Sequence, residues 1–237
     1  MRVVRILYRD EQVVVADKPA GILTVPGRGD DSEALIAQVR GEAPGAMAVH
    51  RLDRNTSGAV VFALDREAHR ALNAVFETRR AEKTYLALVL GDVTGPRRID
   101  FPLAGTRRGG MRVAMQGEKT GLTALTVVAP RERFGNYTLC TCIPKTGRTH
   151  QVRVHLSALG HPLAVDPRYG DARPLHIGDL WSGAPDPDTI VLERTPLHSA
   201  SLRIPHPARR GWLLVESPIA DDMARCLDLL RAARREG

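Results

Sequence analysis

The polar segment HRLDRNTSG, residues 50–58, carries side chains that could perform chemistry. It places one carboxylate, Asp53, between two guanidinium groups, Arg51 and Arg54. A carboxylate can act as a nucleophile or as a proton acceptor, and a close guanidinium favours its charged form. Charged segments of this kind are also typical of solvated surface loops. Here the flanking runs AMAV and AVVFALD are apolar and strand-like, which predicts a loop held between buried elements, where binding and catalytic groups tend to be displayed.

Three segments of the chain resemble the motifs of the RluA-type pseudouridine synthases. HRLDRNTSG is similar to the family signature HRLDxxTSG, in which the aspartate is the catalytic residue. KTYLALVLG, residues 83–91, and TGRTHQVRVHLSALGHPL, residues 146–163, resemble the other two motifs in the same order. KPAG, residues 18–21, resembles a less diagnostic motif that is thought to be structural. The resemblance implies that Asp53 is the centre of the active site.

Pseudouridine formation breaks the bond between ribose and a uracil nitrogen, rotates the base and rebonds it through a ring carbon. The resemblance assigns the reaction to Asp53, which would either attack the anomeric carbon or remove a proton from the neighbouring ribose carbon. The sequence leaves both routes open. Because the isomerisation involves neither redox chemistry nor energy input, we expect no cofactor and no metal.

The resemblance also implies partners for Asp53. Arg153, the second arginine of the third motif, would hold the carboxylate ionised. Tyr85 would pack against the target uracil, although its pattern alone favours a strand core residue. Arg51 would fill the stack position that the extruded base leaves, or else bind a phosphate.

Other basic side chains in and near these motifs are expected to contact RNA. The set comprises His50, Arg54, Arg148 and His150, with helix capping as the alternative role of Arg148. Arginines 79, 80 and those within 107–112 are candidates for phosphate contacts. The loops 105–120 and 171–196 are expected to carry the specificity for a particular RNA.

Composition is consistent with this interpretation. The formal charge of +7 and the pI near 9.8 favour a polyanionic partner, which we expect to be structured RNA, either rRNA or tRNA. Aromatic residues make up only 4% of the chain, so charge and shape would carry most of the recognition. No apolar run approaches the ~20 residues of a membrane helix, and we expect a cytoplasmic monomer without membrane contact. The three cysteines suit reduced thiols better than a disulfide or zinc framework.

The elements that must position these residues can be predicted from periodicity. Many strands in series with few helices predict an α+β fold with a mixed, mainly antiparallel sheet flanked by helices. We expect one catalytic domain over residues 1–237 with no N-terminal accessory RNA-binding domain. The predicted helices are 32–40 with Ser32 as N-cap, 66–80 after Asp65, 149–160 with Thr149 as N-cap and Gly160 at its end, and 219–236. A hairpin is predicted to turn at residues 135–136, and 171–196 is predicted to be a surface loop.

Two other functions remain open from the sequence. A glycosidase-like hydrolase would normally need a second carboxylate beside Asp53, and the central motif contains none. A non-catalytic RNA-binding protein could use the same scaffold.

Overall fold

The computed structural model describes residues 4–27, 34–107 and 109–236, and its α+β fold confirms the predicted class. The strands are β1 (Arg5–Arg9), β2 (Val13–Lys18), β3 (Met47–Ala48), β4 (Ser57–Ala63), β5 (Glu82–Leu90), β6 (Arg97–Ile99), β7 (Leu103–Gly105), β8 (Met111–Val113), β9 (Thr126–Arg133), β10 (Tyr137–Pro144), β11 (Leu175–His176), β12 (Ile190–Leu192), β13 (Leu197–Pro205) and β14 (Trp212–Glu216). The helices are α1 (Leu35–Glu42), α2 (Arg66–Glu77), α3 (Gln151–Ala158), α4 (Ile177–Leu180) and α5 (Asp221–Glu236).

The chain divides into two compact units. The first unit comprises the described residues within 1–84 and 198–218, and the second comprises those within 85–197 and 219–237. That the whole chain forms one catalytic domain stays a prediction. None of the helices in the described ranges combines the length and the apolar character needed to cross a membrane.

In the first unit, β4 is the central strand. It pairs antiparallel with β2 and β3 and parallel with β13, and β1 and β14 pair with β2 and β13 respectively. All seven residues of β4 are buried, as expected of a strand covered on both faces. Helix α2 packs Leu72 and Val75 into the same apolar cluster as Val61 of this strand. The loop that carries Asp53 leads directly into β4.

In the second unit, β5, β10, β9 and β6 form an antiparallel series in that order. Helix α3 packs Val152 and Leu156 into an apolar cluster with Ala87 of β5 and Cys140 of β10. Two small two-stranded sheets, β7 with β8 and β11 with β12, lie outside this series. The unit therefore places Tyr85 on a strand and Arg153 on the helix that packs beside it.

Several predicted elements are confirmed. Asp65 caps α2, since its Oδ1 accepts the Ala68 amide at 2.8 Å. β9 and β10 form the predicted hairpin, with Gly135 at a φ of +75° between them. Helix α3 ends before Gly160, which has a φ of +87°. All three cysteines are free and buried, and burial raises the pKa of Cys140 to about 12.

Two predictions are wrong. Thr149 does not cap α3, because the residue at the N-cap position is His150 in a left-handed conformation without a side-chain cap. Residues 171–196 are not simply a loop, since they contain β11, α4 and β12. Helix α1 begins at Leu35 after Ala34, and Ser32, its expected cap, lies outside the described residues.

We predict that Gly58→Ala will destabilise the protein severely. Gly58 has a φ of +109°, and a Cβ there would lie 2.3 Å from the Ser199 carbonyl oxygen of the neighbouring strand. Since backbone would have to move, we expect a loss of about 3 kcal/mol or more in the free energy of unfolding, measured by urea denaturation. The matched control is Gly41→Ala in α1, where nothing lies within 4 Å of the added Cβ. Equal stability of the two variants would contradict the prediction.

Candidate active site

The backbone of the loop 50–58 is held in place by Lys18, the last residue of β2. This side chain has no solvent exposure, and its ammonium donates to the carbonyl oxygens of Pro19 at 2.9 Å, Ile22 at 2.6 Å and Arg54 at 2.8 Å. An ammonium has three N–H donors, so three carbonyls can satisfy it. The Gly21 amide also donates to the Arg54 carbonyl at 2.9 Å. The KPAG turn thus holds the residue that follows Asp53.

A second attachment lies on the other side of Asp53. The Leu52 amide donates to Thr24 Oγ1 at 3.0 Å, and this hydroxyl lies 3.2 Å from the Leu52 carbonyl oxygen, to which it donates. The Leu52 side chain is buried, with 5% exposure. The Thr56 amide donates to the Asp53 carbonyl at 3.1 Å, which closes a tight turn. Asp53 is therefore anchored through the backbone of both its neighbours.

The end of the loop is held by a series of buried hydrogen bonds between polar side chains and backbone. Ser57 Oγ lies 3.0 Å from His198 Nδ1, and His198 Nε2 lies 3.3 Å from the Ser217 carbonyl oxygen. Because a carbonyl can only accept, Nε2 carries the imidazole proton and Nδ1 accepts from Ser57. Ser217 Oγ then donates to Asp17 Oδ1 at 2.9 Å on β2. These hydrogen bonds connect the TSG segment to strands β2 and β13.

The side chains of the loop differ from its backbone in exposure. Asp53 is half-buried, while Arg51 and Arg54 are exposed. Arg54 reaches back to the Gly21 carbonyl with Nη1 at 3.3 Å. The loop thus carries one half-buried carboxylate and two exposed guanidinium groups on an anchored backbone.

His50 has a different environment. Its Nε2 accepts the Val61 amide at 3.0 Å, and its ring stacks on Phe76 with centroids 4.5 Å apart. Burial, and to a lesser degree the charge of Lys83, lowers the pKa of His50 to about 3. The ring is therefore neutral near pH 7 and already has a structural partner. Its contact with RNA stays a prediction, and these contacts do not favour it.

In the second unit, Arg153 on α3 is buried and forms a two-pronged ion pair. Its Nε donates to Asp166 Oδ2 at 2.8 Å and its Nη2 to Asp166 Oδ1 at 2.7 Å. The guanidinium also lies over the ring of Tyr169, with Cζ 5.0 Å from the centroid. The segment that carries Asp166 and Tyr169 therefore orients the predicted catalytic arginine.

His150 is joined to the same group. Its Nδ1 lies 2.7 Å from Tyr169 Oη, and this oxygen accepts the Met111 amide of β8 at 3.0 Å. Tyr169, which sequence reasoning missed, thus contacts two of the predicted site residues. The signal that could have found it is the segment VDPRYG, where an aspartate and a tyrosine follow the third motif closely.

Arg148 and Tyr85 complete the predicted set. The Arg148 amide donates to Gln151 Oε1 at 3.0 Å and its Nε to the Thr123 carbonyl at 3.2 Å. Tyr85 is half-buried, opposes Cys142 in the pairing of β5 with β10, and packs against the apolar cluster of this unit. The phosphate role of Arg148 and the uracil contact of Tyr85 stay predictions.

The structure therefore brings the predicted residues together in two groups. His50, Arg51, Asp53 and Arg54 belong to the first unit, and Tyr85, Arg148, His150 and Arg153 belong to the second. That Asp53 meets Arg153 and Tyr85 stays a prediction. Across the described residues, no three histidine, cysteine, aspartate or glutamate side chains are grouped as metal ligands would be. The expectation of metal-free chemistry also stays a prediction.

The fold itself defines the class. The human RNA pseudouridylate synthase domain containing 4 protein has the same fold, with a TM-score of 0.78 over 95% of this chain and 92% of that chain at 24% identity. Human RNA pseudouridylate synthase domain containing 1 is 27% identical, with a TM-score of 0.71 over 97% and 95% of the two chains. This is the fold of a pseudouridine synthase.

Sequence relatives identify the family. The model of the RNA pseudouridylate synthase family matches residues 12–158. Ribosomal large subunit pseudouridine synthase D of Nitrosomonas europaea is 38% identical, over 96% of this chain and 65% of that protein. Ribosomal large subunit pseudouridine synthase C of Escherichia coli K12 is 35% identical, over 97% and 70%. The chain belongs to the RNA pseudouridylate synthase family, which confirms the resemblance noted in the sequence, and it spans about two thirds of the length of these curated relatives.

We predict that Asp166→Asn will be strongly destabilising. The substitution removes the carboxylate charge from a buried ion pair and leaves the Arg153 guanidinium without it, which typically costs about 3–5 kcal/mol. The control is Glu82→Gln, because Glu82 pairs with Arg203 at 3.0 Å on the surface, where such a pair contributes at most about 1 kcal/mol. Urea denaturation of both variants measures the difference. A loss below 1 kcal/mol in Asp166→Asn would contradict the assignment of a buried pair.

We predict a pH dependence of stability that originates at His50. Its pKa of about 3 in the folded protein lies below the ordinary value of 6.5, so the unfolded chain binds more protons between these values. Stability should therefore fall as the pH decreases from 6.5 towards 3, by up to about 1.4 kcal/mol per pH unit from this group. His50→Gln keeps an acceptor for the Val61 amide but does not titrate. The stability difference between wild type and this variant should shrink with decreasing pH, and a constant difference would exclude His50 as the source.

Proposed function

We propose that this chain converts uridine to pseudouridine in structured RNA, with Asp53 as the catalytic residue. The observation that carries the proposal is the anchored loop 50–58, which presents a half-buried carboxylate between two exposed arginines in a member of this family. An acid that must reach a ribose needs an accessible side chain on a rigid support. Lys18, Thr24 and His198 supply that support through their contacts with the loop.

Asp53 can begin the reaction in two ways. As a nucleophile, its carboxylate bonds to the anomeric carbon while the bond to the uracil nitrogen breaks and the electron pair leaves with the base. As a base, it takes a proton from the neighbouring ribose carbon as the same bond breaks, which leaves a glycal. In both routes the detached uracil turns and its C5 bonds to the anomeric carbon. The ester bond to Asp53 breaks at the same time in the first route, and Asp53 returns its proton to the neighbouring ribose carbon in the second. C5 then loses its proton and the freed ring nitrogen takes one up, so that the product is an isomer of the substrate.

Arg153 and Tyr85 are the proposed partners of Asp53. A buried guanidinium held by Asp166 and by the Tyr169 ring is fixed in direction, which suits a group that stabilises a carboxylate in its charged form. The half-buried ring of Tyr85 would hold the detached uracil by stacking while it turns.

The target base has to leave its stack to reach Asp53, which costs a few kcal/mol. Arg51 is exposed and lies two residues before Asp53, so its planar guanidinium is suited to occupy the vacated position. Arg54, Arg148 and His150 would then contact the RNA around the site.

The proposed substrate is large-subunit ribosomal RNA, since the relatives above carry that target in their names. The net charge of +7 supports a polyanionic partner. We further propose that the chain acts as a monomer in the cytoplasm, where this RNA is found. Two rivals lead to different products: a hydrolase would release free uracil, and a pure RNA-binding protein would leave the uridine unchanged.

We predict that Asp53→Asn will abolish pseudouridine formation, by at least about 10³-fold, because an amide is neither a nucleophile nor a base at this position. RNA affinity should change less than about threefold, since the loop keeps its two arginines. Tritium release from C5-labelled unmodified ribosomal RNA measures turnover, and filter binding measures affinity.

The control is Asp228→Asn, whose carboxylate is 73% exposed on α5 and should not affect turnover. Substantial turnover by Asp53→Asn would overturn the proposal. Release of free uracil by the wild type would support the hydrolase instead.

A further inference from the structure

Tyr169 connects three parts of the second unit. Its ring lies under the Arg153 guanidinium, with Cζ 5.0 Å from the ring centroid. Its hydroxyl lies 2.7 Å from His150 Nδ1, at the start of α3, and accepts the Met111 amide of β8 at 3.0 Å. Its backbone is fixed as well, because its amide donates to Asp166 Oδ1 at 3.2 Å and its carbonyl accepts from Ser157 Oγ at 2.6 Å.

The hydroxyl of Tyr169 has two hydrogen-bond partners. Oη accepts the Met111 amide, and the tautomer of the His150 ring decides which of Oη and Nδ1 donates in the second bond. A phenylalanine ring would fill the same space under Arg153 but could form neither bond. The hydroxyl is therefore not needed to fill this space. Its two hydrogen bonds connect Tyr169 to β8 and to His150.

One of those two partners lies on a hairpin that carries an exposed arginine, and the other lies at the start of α3. Met111 belongs to the β7–β8 hairpin, which pairs Gly105 with Met111 and includes the exposed Arg107 beside its turn. His150 has a φ of +53°, which is uncommon for a non-glycine residue. Two hydrogen bonds thus connect Oη to the hairpin and to His150, and the ring that carries Oη lies against the Arg153 guanidinium.

We propose that Tyr169 is a positioning residue that couples the β7–β8 hairpin to Arg153, so that RNA bound at the hairpin helps to orient the guanidinium for the reaction. The inference rests on the proposed function, in which Arg153 serves Asp53. Tyr169 itself does not contact the reacting atoms in this scheme. Its hydroxyl bonds to the hairpin and its ring contacts the Arg153 guanidinium, so it links the two.

The test uses Tyr169→Phe in the full chain. The ring under Arg153 remains, while the bonds to Met111 and His150 are lost. We expect the single-turnover rate of tritium release at saturating unmodified ribosomal RNA to fall about 10-fold, because small misplacements of a positioned group have large effects on rate. The filter-binding affinity should change less than twofold. An unchanged rate, or a loss in rate explained entirely by a smaller folded fraction, would overturn the inference.

Tyr8→Phe is the matched control. The Tyr8 hydroxyl also forms a half-buried hydrogen bond, to Asp10 Oδ2 at 2.8 Å, but Tyr8 lies on β1 in the first unit. This variant should lose stability to a similar extent and keep the wild-type rate. If it lost rate as Tyr169→Phe does, the effect would be a general consequence of removing a buried hydroxyl, and the positioning role would be rejected.

Coupling to the hairpin is tested by adding Arg107→Ala. In the wild-type background this variant should weaken RNA binding and also lower the saturating rate, whereas in the Tyr169→Phe background it should weaken binding alone. The same change in rate in both backgrounds, including no change in either, would reject the coupling.

Asp53→Asn separates the two proposals, because an active Asp53→Asn enzyme would refute the proposed function. An inactive one combined with an unaffected Tyr169→Phe would refute only this inference.

Discussion

A fully buried ammonium group constrains the conformation of the first unit. A charge without solvent is very unfavourable unless every donor is matched, and Lys18 is matched by three carbonyls. Two of them belong to the turn that follows β2, and the third belongs to Arg54 in the central loop. The turn and the loop cannot separate without leaving part of that charge unsatisfied. The position of Asp53 therefore depends on a cation that takes no part in the proposed chemistry.

Local signals explain how much of the fold could be predicted from the sequence. Asp65 precedes an amphipathic run and caps α2, and Gly135 marks the turn between two strands. Alternating and continuous apolar runs predicted the strands, because burial repeats with the period of the backbone. The central loop was predictable for the same reason, since a polar segment between two apolar, strand-like runs is expected to form a loop. Each of these predictions needs only residues that are close in the chain.

The remaining contacts join residues that are distant in the chain. Ser57 and His198 are 141 positions apart, and a histidine in a strand gives no indication of its partner. Lys18 would be interpreted from composition as an exposed charge, yet it is completely buried. The start of α3 was missed because His150 stands at the N-cap position in a left-handed conformation and no side chain caps the helix. Contacts between residues that are distant in the chain determine the conformation at these positions, and hydrophobic periodicity does not encode such contacts.

The Arg153–Asp166 pair is difficult to explain by stability alone. Buried ion pairs often contribute little to folding, because the attraction only offsets the loss of hydration, and apolar residues of similar volume can replace them at no cost. What such a pair provides is direction: two parallel hydrogen bonds and an aromatic face leave the guanidinium one orientation. In the first unit the same requirement is met differently, since the backbone is fixed and the Asp53 side chain stays accessible. In the proposed reaction, the Asp53 carboxylate has to reach a sugar and therefore needs access, whereas the Arg153 guanidinium supplies only charge and can be buried.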